Sequence, residues 1–335
     1  MKAVLLVGGE GTRLRPLTYT SPKALVPIGN VPFLERQLTW LAGHGVDEVV
    51  LSMGYLPEPF RQHFPDERFG DVKLRYAVEE VPLGTAGGIR FAAEGIDERF
   101  VVCNGDVLTT LDLTRMVEFH EAHNAEASIY LCEVDDPSAF GVVPTRDDGE
   151  VVGFIEKPPR DQAPTNRINA GVYVLEPSVI DRIPPRINVS IERETFPRMV
   201  ASRKSLYGFH WPGYWLDIGT PEKYLQANLD VVAGHLPGQE RSIAASASIA
   251  GSVVGSVIGA DVVVEAGARV ESSVIMDGAR IESGARVVAS VVGPGAIVRA
   301  KAQVVDLAMI GAGVEVAAGM QVVAARLAPQ GFGDA

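Results

Sequence analysis

Two hydrophobic periods alternate along the first two-thirds of the chain. Compact apolar runs, "KAVLLVG" (2–8), "EVVLSM" (48–53) and "FVVCNGD" (100–106), read as buried strands. "VKLRYAVE" (72–79) and "ASIYLCEV" (127–134) continue the strand pattern. Between them "PFLERQLTWLAGHG" (32–45) sets Leu34, Leu38 and Leu41 on one helical face. "PEPFRQHF", "AGGIRFAAEGI" and "DLTRMVEFHEAHN" are further helical segments. This βα alternation predicts a mostly parallel, Rossmann-like α/β sheet covered on both faces, with ligands at the carboxyl ends of its strands. The polar residues of "LVGGEG" and "VVCNGDV" fall at such ends.

From 140 to 217 the pattern is less regular. "FGVVPT", "VVGFIEKP", "INAGVYVL" and "LYGFHW" read as strands, with one helix, "SIERETFPRMVAS", among them. They extend the sheet and supply a second wall for a cleft. "PEKYLQANLDVVAGH" (221–235) is a closing helix.

After about residue 242 aromatics nearly vanish, and Val, Ala, Gly and Ser dominate. Copies of one repeat begin at 256, 273 and 290, and a looser fourth follows. Within them aliphatics recur every five or six residues: Ile258, Val264 and Val270, then Met276, Ile281 and Val287. Such spacing puts one side chain per short strand inside a triangular parallel β-helix. Aliphatics kept in register argue against a disordered Gly/Ala/Ser linker. The expected organisation is a catalytic domain over 1–238 and a β-helix over 242–327.

Composition narrows the function. A chain of 335 residues exceeds what one core usually serves, which agrees with two domains. A net charge of −12 disfavours non-specific nucleic-acid binding, and no polybasic patch suggests a membrane surface. The two cysteines, Cys103 and Cys132, lie in strand-like runs and read as buried thiols. Sparse cysteine suits a reducing cytoplasm, the expected location. "MKAVLLVGG" is too short for a secretory signal and reads as the first strand. His120 and His123, three apart on a helical pattern, read as surface histidines, and Trp211, Tyr214 and Trp215 as core packing, with stacking on substrate as the alternative.

The candidate chemistry starts at "GGEGTRLRPLTYTSPK" (8–23). Gly9-x-Gly11 is followed by Leu14 where a dinucleotide fingerprint needs a third glycine, and no Walker-type Gly-Lys-Ser/Thr occurs here. A strand running into glycines still lets backbone N–H groups approach an anion, and Arg13 and Lys23 add charge. A surface turn with solvated cations is the bland alternative. Asp106 and Asp217, both at predicted strand ends, fit a Mg²⁺ held by few carboxylates and by phosphate oxygens, or else are turn and cap residues. Together these parts suggest transfer of a nucleotidyl or phosphoryl group.

The opening loop, followed in order by "LGTAGGI", "NGD", "FGVV", "EKP", "INAGVYVL", "SIERETFP" and "WLDIGTP", resembles the sugar-1-phosphate nucleotidyltransferase family over about residues 1–235. A C-terminal left-handed β-helix also occurs in that family. The later motifs look most like its mannose-1-phosphate guanylyltransferase subgroup. The resemblance implies attack of a sugar phosphate on the α-phosphorus of an NTP, with release of pyrophosphate, Mg²⁺ as cofactor and no covalent enzyme intermediate. Catalysis is then mostly positioning and charge neutralisation.

By the same resemblance, Gly8, Gly9, Gly11, Thr12, Gly84 and Thr85 would bind the nucleotide. Arg13 would stabilise the departing pyrophosphate, and Lys23 would bridge the attacking phosphate and the α-phosphate. Asp106 and Asp217 would hold the metal. Glu156 would bind sugar hydroxyls and Lys157 the sugar phosphate, while Gly141, Asn169 and Gly171 would line the sugar pocket. Arg15 would make either a structural salt bridge or a phosphate contact, and Glu10 acquires no role.

The base can be approached chemically. Pyrimidine-using relatives carry a Gln shortly before the glycine matching Gly84, whereas this chain has Glu79 and Glu80. A carboxylate accepts the N1–H and N2–H₂ donors of guanine, which favours GTP unless both glutamates are merely solvated. Mannose rests on the subgroup resemblance alone.

Three alternatives stand beside this reading. One is glucose 1-phosphate with dTTP or UTP. Another is acyl transfer on the β-helix, disfavoured because residues 236–335 contain no histidine to act as base. The third is a non-catalytic regulatory subunit, which should have lost loop cations that this chain keeps. The β-helix is expected to serve assembly or regulation, with a homo-oligomer as the result.

Overall fold

The computed structural model describes residues 1–54, 57–202, 205–236 and 242–332. By its internal contacts the chain divides into two compact units. The first comprises Met1–Gly9 and Gln37–Trp215, the second Glu10–Arg36 and Leu216–Ala335. The expected boundary at residue 238 lies outside the described residues. The glycine loop from Glu10 onward and the Pro221–Val232 helix therefore group with the β-helix, while Gly8 and Gly9 stay with the sheet.

The first unit is built on a mixed sheet. Its principal strands are β1 (Lys2–Leu6), β2 (Glu48–Met53), β3 (Val72–Val78), β4 (Phe100–Asn104), β5 (Ala127–Glu133), β6 (Arg167–Leu175) and β7 (Leu206–His210). β3, β2, β1 and β4 run parallel in that spatial order. β6 pairs antiparallel with β4 and with β5, and β7 joins β5 in parallel. The parallel centre is buried on both faces, which is why Ala3–Leu5, Val49–Leu51 and Val101–Cys103 are apolar without a break. Cys103 and Cys132 are free and buried, and burial pushes the Cys103 thiol well above its usual range.

Two expectations change here. His120 is buried: its Nδ1 lies 2.9 Å from Ser128 Oγ and its Nε2 3.2 Å from Glu176 Oε1. The helix Leu113–Ala122 turns this ring inward onto β5 and β6, a choice the i, i+3 spacing could not reveal. Trp211, Tyr214 and Trp215 are half-buried rather than core. Trp215 donates from Nε1 to Ala170 O (3.0 Å) and sets its ring edge-on to Phe140 at 5.5 Å.

In the second unit, three parallel sheets, each of five described strands, make up the β-helix. The arrangement is consistent with a left-handed β-helix. Its interior is a stack of Ile258, Val264, Val270, Ile275, Ile281, Val287, Val292, Val298, Val304, Ile310 and Val316, all fully buried. Ile275 fills the place expected for Met276, because the strand Val274–Ile275 points its second residue inward. Ser256, Ser273 and Ser290 form a ladder at one corner: Ser256 Oγ accepts from Ser273 N, and Ser273 Oγ from Ser290 N, each at 3.1 Å.

The looser fourth repeat has a local cause. Val257, Val274 and Val291 succeed one another at equal spacing, but the next partner is Met309, one residue late. The corner there carries two residues at positive φ, Asp306 and Leu307, where earlier turns carry one, Ser272 or Ala289. The insertion is absorbed in the corner, and Ile310 stays in register.

Candidate active site

In the first unit, the residues assigned to the nucleotide and to the sugar are tied together by one polar network. Gly84 opens the helix Gly84–Ala92 at φ +71°, and a Cβ there would lie 2.6 Å from Val189 O. Only glycine meets both conditions. The adjacent Thr85 accepts a hydrogen bond from Ile191 N (2.9 Å) and donates to Glu192 Oε2 (2.7 Å). The same carboxylate accepts from Ser190 Oγ at 2.7 Å and from Tyr173 OH at 3.4 Å. Asn169 Nδ2 donates to Tyr173 OH (2.9 Å), and Asn169 Oδ1 accepts from Gly171 N (3.1 Å). Thr85, Asn169 and Gly171 are thus joined through Glu192 and Tyr173.

Burial first, then the Glu192 charge, push the Tyr173 phenol well above its ordinary value, and Asp106 is near enough to add to the rise. Tyr173 therefore remains a proton donor to Glu192 at neutral pH. Neither Glu192 nor Tyr173 was singled out by the sequence reading, although both lie inside the motifs it quoted. The usable signal was "SIER". Ser190 caps the turn Ile191–Thr195 by accepting from Arg193 N (3.2 Å), and this fixes the direction of Glu192.

On the sugar side, Gly141 sits opposite Glu156 in an antiparallel pair. A Cβ at Gly141 would lie 2.7 Å from the Phe154 ring and 3.2 Å from Glu156 Oε2, so the absence of a side chain keeps Glu156 in place. Lys157 adopts φ +49° directly before Pro158 and donates from its backbone N to Phe140 O (2.9 Å). A non-glycine residue held in this conformation is strained, and such strain gathers at ligand sites. Glu156 Oε1 lies 4.0 Å from Lys157 Nζ and 3.6 Å from Arg193 Nη2, a second cation that the sequence reading missed.

The two glutamates considered for base recognition differ. Glu79 accepts from Ser52 Oγ (3.1 Å) with one oxygen and from Leu83 N (2.9 Å) with the other, so it braces the turn ahead of Gly84. Glu80 is exposed. Gly8 sits where a Cβ would come 3.0 Å from Gly54 N, while Gly9 has open space around it.

The second unit carries Gly11, Thr12, Arg13, Lys23 and Asp217. Gly11 has φ +64° and leads into the turn Thr12–Leu14. Leu14 is buried and anchors the turn, which leaves Thr12 and Arg13 exposed. Thr18 Oγ1 donates to Gly11 O (2.8 Å), and the Lys23 side chain runs beside the same glycine. Asp217 Oδ1 accepts from Gly219 N (2.7 Å), and its Oδ2 lies 3.8 Å from Lys223 Nζ. A Cβ at Gly219 would lie 2.7 Å from both Arg13 Nη2 and Asp217 Oδ1. The Arg13 guanidinium and the Asp217 carboxylate are therefore packed against one glycine.

Among the described residues, no three His, Cys, Asp or Glu side chains group as a protein-only metal site. Mg²⁺ needs no such group, since it binds one or two carboxylates and completes its shell with phosphate oxygens and water. Asp106, in the turn after β4, and Asp217, at the end of Trp215–Asp217, have the right chemistry for that role.

A glycine-led strand end in the first unit, and loop cations beside Asp217 in the second, are each of the kind that enzymes acting on nucleotide phosphates use. The chain belongs to the nucleotidyl transferase family, whose model matches residues 2–234, and the GMPPB C-terminal domain model matches residues 238–331. It is 44% identical to a mannose-1-phosphate guanylyltransferase of Mycobacterium tuberculosis over 70% of this chain and 66% of that protein. It is 39% identical to a probable mannose-1-phosphate guanylyltransferase of Oryza sativa over 83% of this chain and 82% of that one. The alignments with the M. tuberculosis and Arabidopsis thaliana relatives span 66% and 63% of their lengths. Among solved structures, HddC from Yersinia pseudotuberculosis complexed with GMP-PN superposes at TM-score 0.59 with 30% identity, covering 69% of this chain and 99% of that one. Among the described residues, no helix is long and apolar enough to cross a membrane.

Proposed function

We propose that the chain transfers a guanylyl group from GTP to mannose 1-phosphate, giving GDP-mannose and pyrophosphate. One observation carries the reading most directly. The matched family region contains both the sugar-side set (Glu156, Lys157, Asn169, Gly171) and the pyrophosphate-side set (Arg13, Lys23, Asp217), with Glu156 beside Lys157, Asn169 bonded to Gly171 and Asp217 beside Lys223. The names of the relatives, guanylyltransferases acting on mannose 1-phosphate, support the substrate pair.

In this mechanism the chain supplies position and charge. Gly8, Gly9, Gly11 and Thr12 bring backbone N–H groups to the nucleotide phosphates. Gly84 and Thr85 hold its base side, with Glu80 as the exposed carboxylate available to guanine donors and Glu79 bracing the turn. Glu156 orients the sugar hydroxyls, and Lys157 holds the sugar phosphate. Lys23 draws the attacking and α-phosphates together, and Arg13 neutralises charge on the pyrophosphate as it departs. Asp106 and Asp217 would hold Mg²⁺, which supplies further neutralisation of the phosphates when bound. Assembly into a homo-oligomer through the β-helix, in the cytoplasm, completes the proposal.

The test is pyrophosphate release with Mg²⁺ across GTP, UTP, dTTP and ATP and several sugar 1-phosphates. GTP with mannose 1-phosphate should be the best pair. Release with no pair would overturn the transferase reading, and a clear dTTP preference would replace the guanine assignment.

A further inference from the structure

Sequence leaves Arg15 of the glycine loop between a salt bridge and a phosphate contact and gives Glu10 no role. The structure pairs the two, and the pairing leads away from the phosphates. Arg15 Nη2 lies 3.6 Å from Glu10 Oε2, and the Arg15 guanidinium stands 5.0 Å from the centre of the Tyr19 ring. Tyr19 stacks on Phe332, with ring centres 4.6 Å apart and planes 23° from parallel. Phe332 follows the last β-helix strand, Arg326–Leu327, and is set by a turn in which its N–H donates to Pro329 O (3.2 Å). The two arginines of one loop are thereby sorted: Arg13 lies against Gly219 beside Asp217, and Arg15 lies over the Tyr19 ring.

The far end of the same loop is also tied to the solenoid. Asn30 Nδ2 donates to Ile258 O (2.9 Å) in the first coils, and Gly29 N donates to Asn228 Oδ1 (2.9 Å) on the closing helix. The loop is thus fixed at two places, near residue 30 by the first coils and near residue 19 by the last.

We propose that Phe332 is a positioning residue for the nucleotide loop. Its ring fixes Tyr19, Tyr19 with Glu10 holds Arg15, and the turn Thr12–Leu14 keeps Arg13 where the leaving pyrophosphate needs it. The β-helix then acts as the backing of the phosphate loop. Glu10 is the balancing charge for Arg15: left unpaired, its carboxylate would repel the triphosphate. The catalytic part of this proposal rests on the guanylyltransferase reading, while the structural part does not.

Two measurements on the full chain, in Phe332→Ala and Phe332→Tyr, separate these parts. The first is amide hydrogen exchange without substrate at Leu14, Arg15 and Tyr19, whose N–H groups donate to Gly11 O, Thr12 O and Pro16 O. Phe332→Ala should speed this exchange roughly 2- to 10-fold, the range one aromatic pair can supply, and leave the β-helix amides unchanged. Phe332→Tyr, which keeps the stack, should match the parent. The second is a kinetic split: Phe332→Ala should lower kcat by a similar factor and leave KM for GTP within about 2-fold, with Tyr restoring kcat. Unchanged exchange in Phe332→Ala, or equal change in the Ala and Tyr variants, overturns the proposal. Faster exchange with an unchanged kcat overturns its catalytic part. If the parent chain shows no transfer with any pair, the functional reading fails alone, and exchange still decides whether Phe332 positions the loop.

Discussion

At the scale of single residues, Gly219 and His120 illustrate two different constraints. Gly219 matters for what it lacks, because any Cβ would meet Arg13 Nη2 and Asp217 Oδ1 at 2.7 Å. Gly219→Ala should displace the guanidinium and lower kcat on the order of 100-fold, the usual cost of a misplacement near 1 Å, with little loss of thermal stability. Steady-state kinetics beside a melting curve checks this, and unchanged kcat would show that Arg13 has no part in the reaction. His120 matters for its protonation. Burial lowers its pKa below the ordinary value, which outweighs the raising effect of its Glu176 hydrogen bond. A lowered folded pKa means that the unfolded chain binds the proton more readily. The stabilisation from neutral His120 is therefore present above about pH 6.5 and is lost as pH falls below it. Urea midpoints at pH 7.5 and 5.5 should fall for the parent, and fall less for His120→Gln.

At the scale of elements, the β-helix and the sheet were legible to different degrees, for reasons visible in particular residues. The solenoid has one aliphatic per short strand, so Ile258, Val264, Val270, Ile281 and Val287 could be placed inside from spacing alone. The miss at Met276 is a shift of one residue, since Ile275 and Met276 are adjacent and both apolar. Which one points inward depends on the strand's register with its neighbours. Ile281→Ala should cost about 2–5 kcal/mol by chemical denaturation, because the stacked interior cannot close over the cavity. Arg280→Ala, one residue away on an exposed ion pair with Glu265, should cost about 0–1 kcal/mol. A similar cost for both substitutions would contradict the assigned interior. In the sheet, apolar runs identified the parallel strands, but nothing in them announced that β6 would lie antiparallel between β4 and β5. Within β6 the pairing register with β5 shifts between Asn169 and Tyr173, and across this irregularity Asn169 meets Tyr173 OH and Gly171 N to build the sugar-side network.

At the scale of the whole molecule, the internal grouping of the chain carries a consequence for truncation. The loop Glu10–Arg36 belongs to the same compact unit as the β-helix. A chain ending near residue 238 would lose Ile258 O, the acceptor for Asn30, and Phe332, the partner of Tyr19. Such a chain should lose most of its transfer activity, even though it keeps every residue proposed to touch substrate. Light scattering of the two chains should show a multiple of the monomer mass for the full length only. Full activity in the shortened chain would mean that the solenoid does not support the loop.

The sequence by itself determined the strands and helices of the sheet, the solenoid repeat, and the identities of most residues proposed to meet substrate. Each of these is written in local periodicity or in a contiguous motif. Tertiary structure alone decided which side chains are committed to one another. Glu79 is used by Ser52 and Leu83, Thr85 is joined to Asn169 through Glu192 and Tyr173, His120 is buried, and Arg15 is engaged by Tyr19 beside Phe332. These pairings link residues distant in sequence or choose among several equally near. Local pattern carries no record of that choice, because hydrogen-bond geometry and ring stacking depend on distances that exist only once the chain has folded.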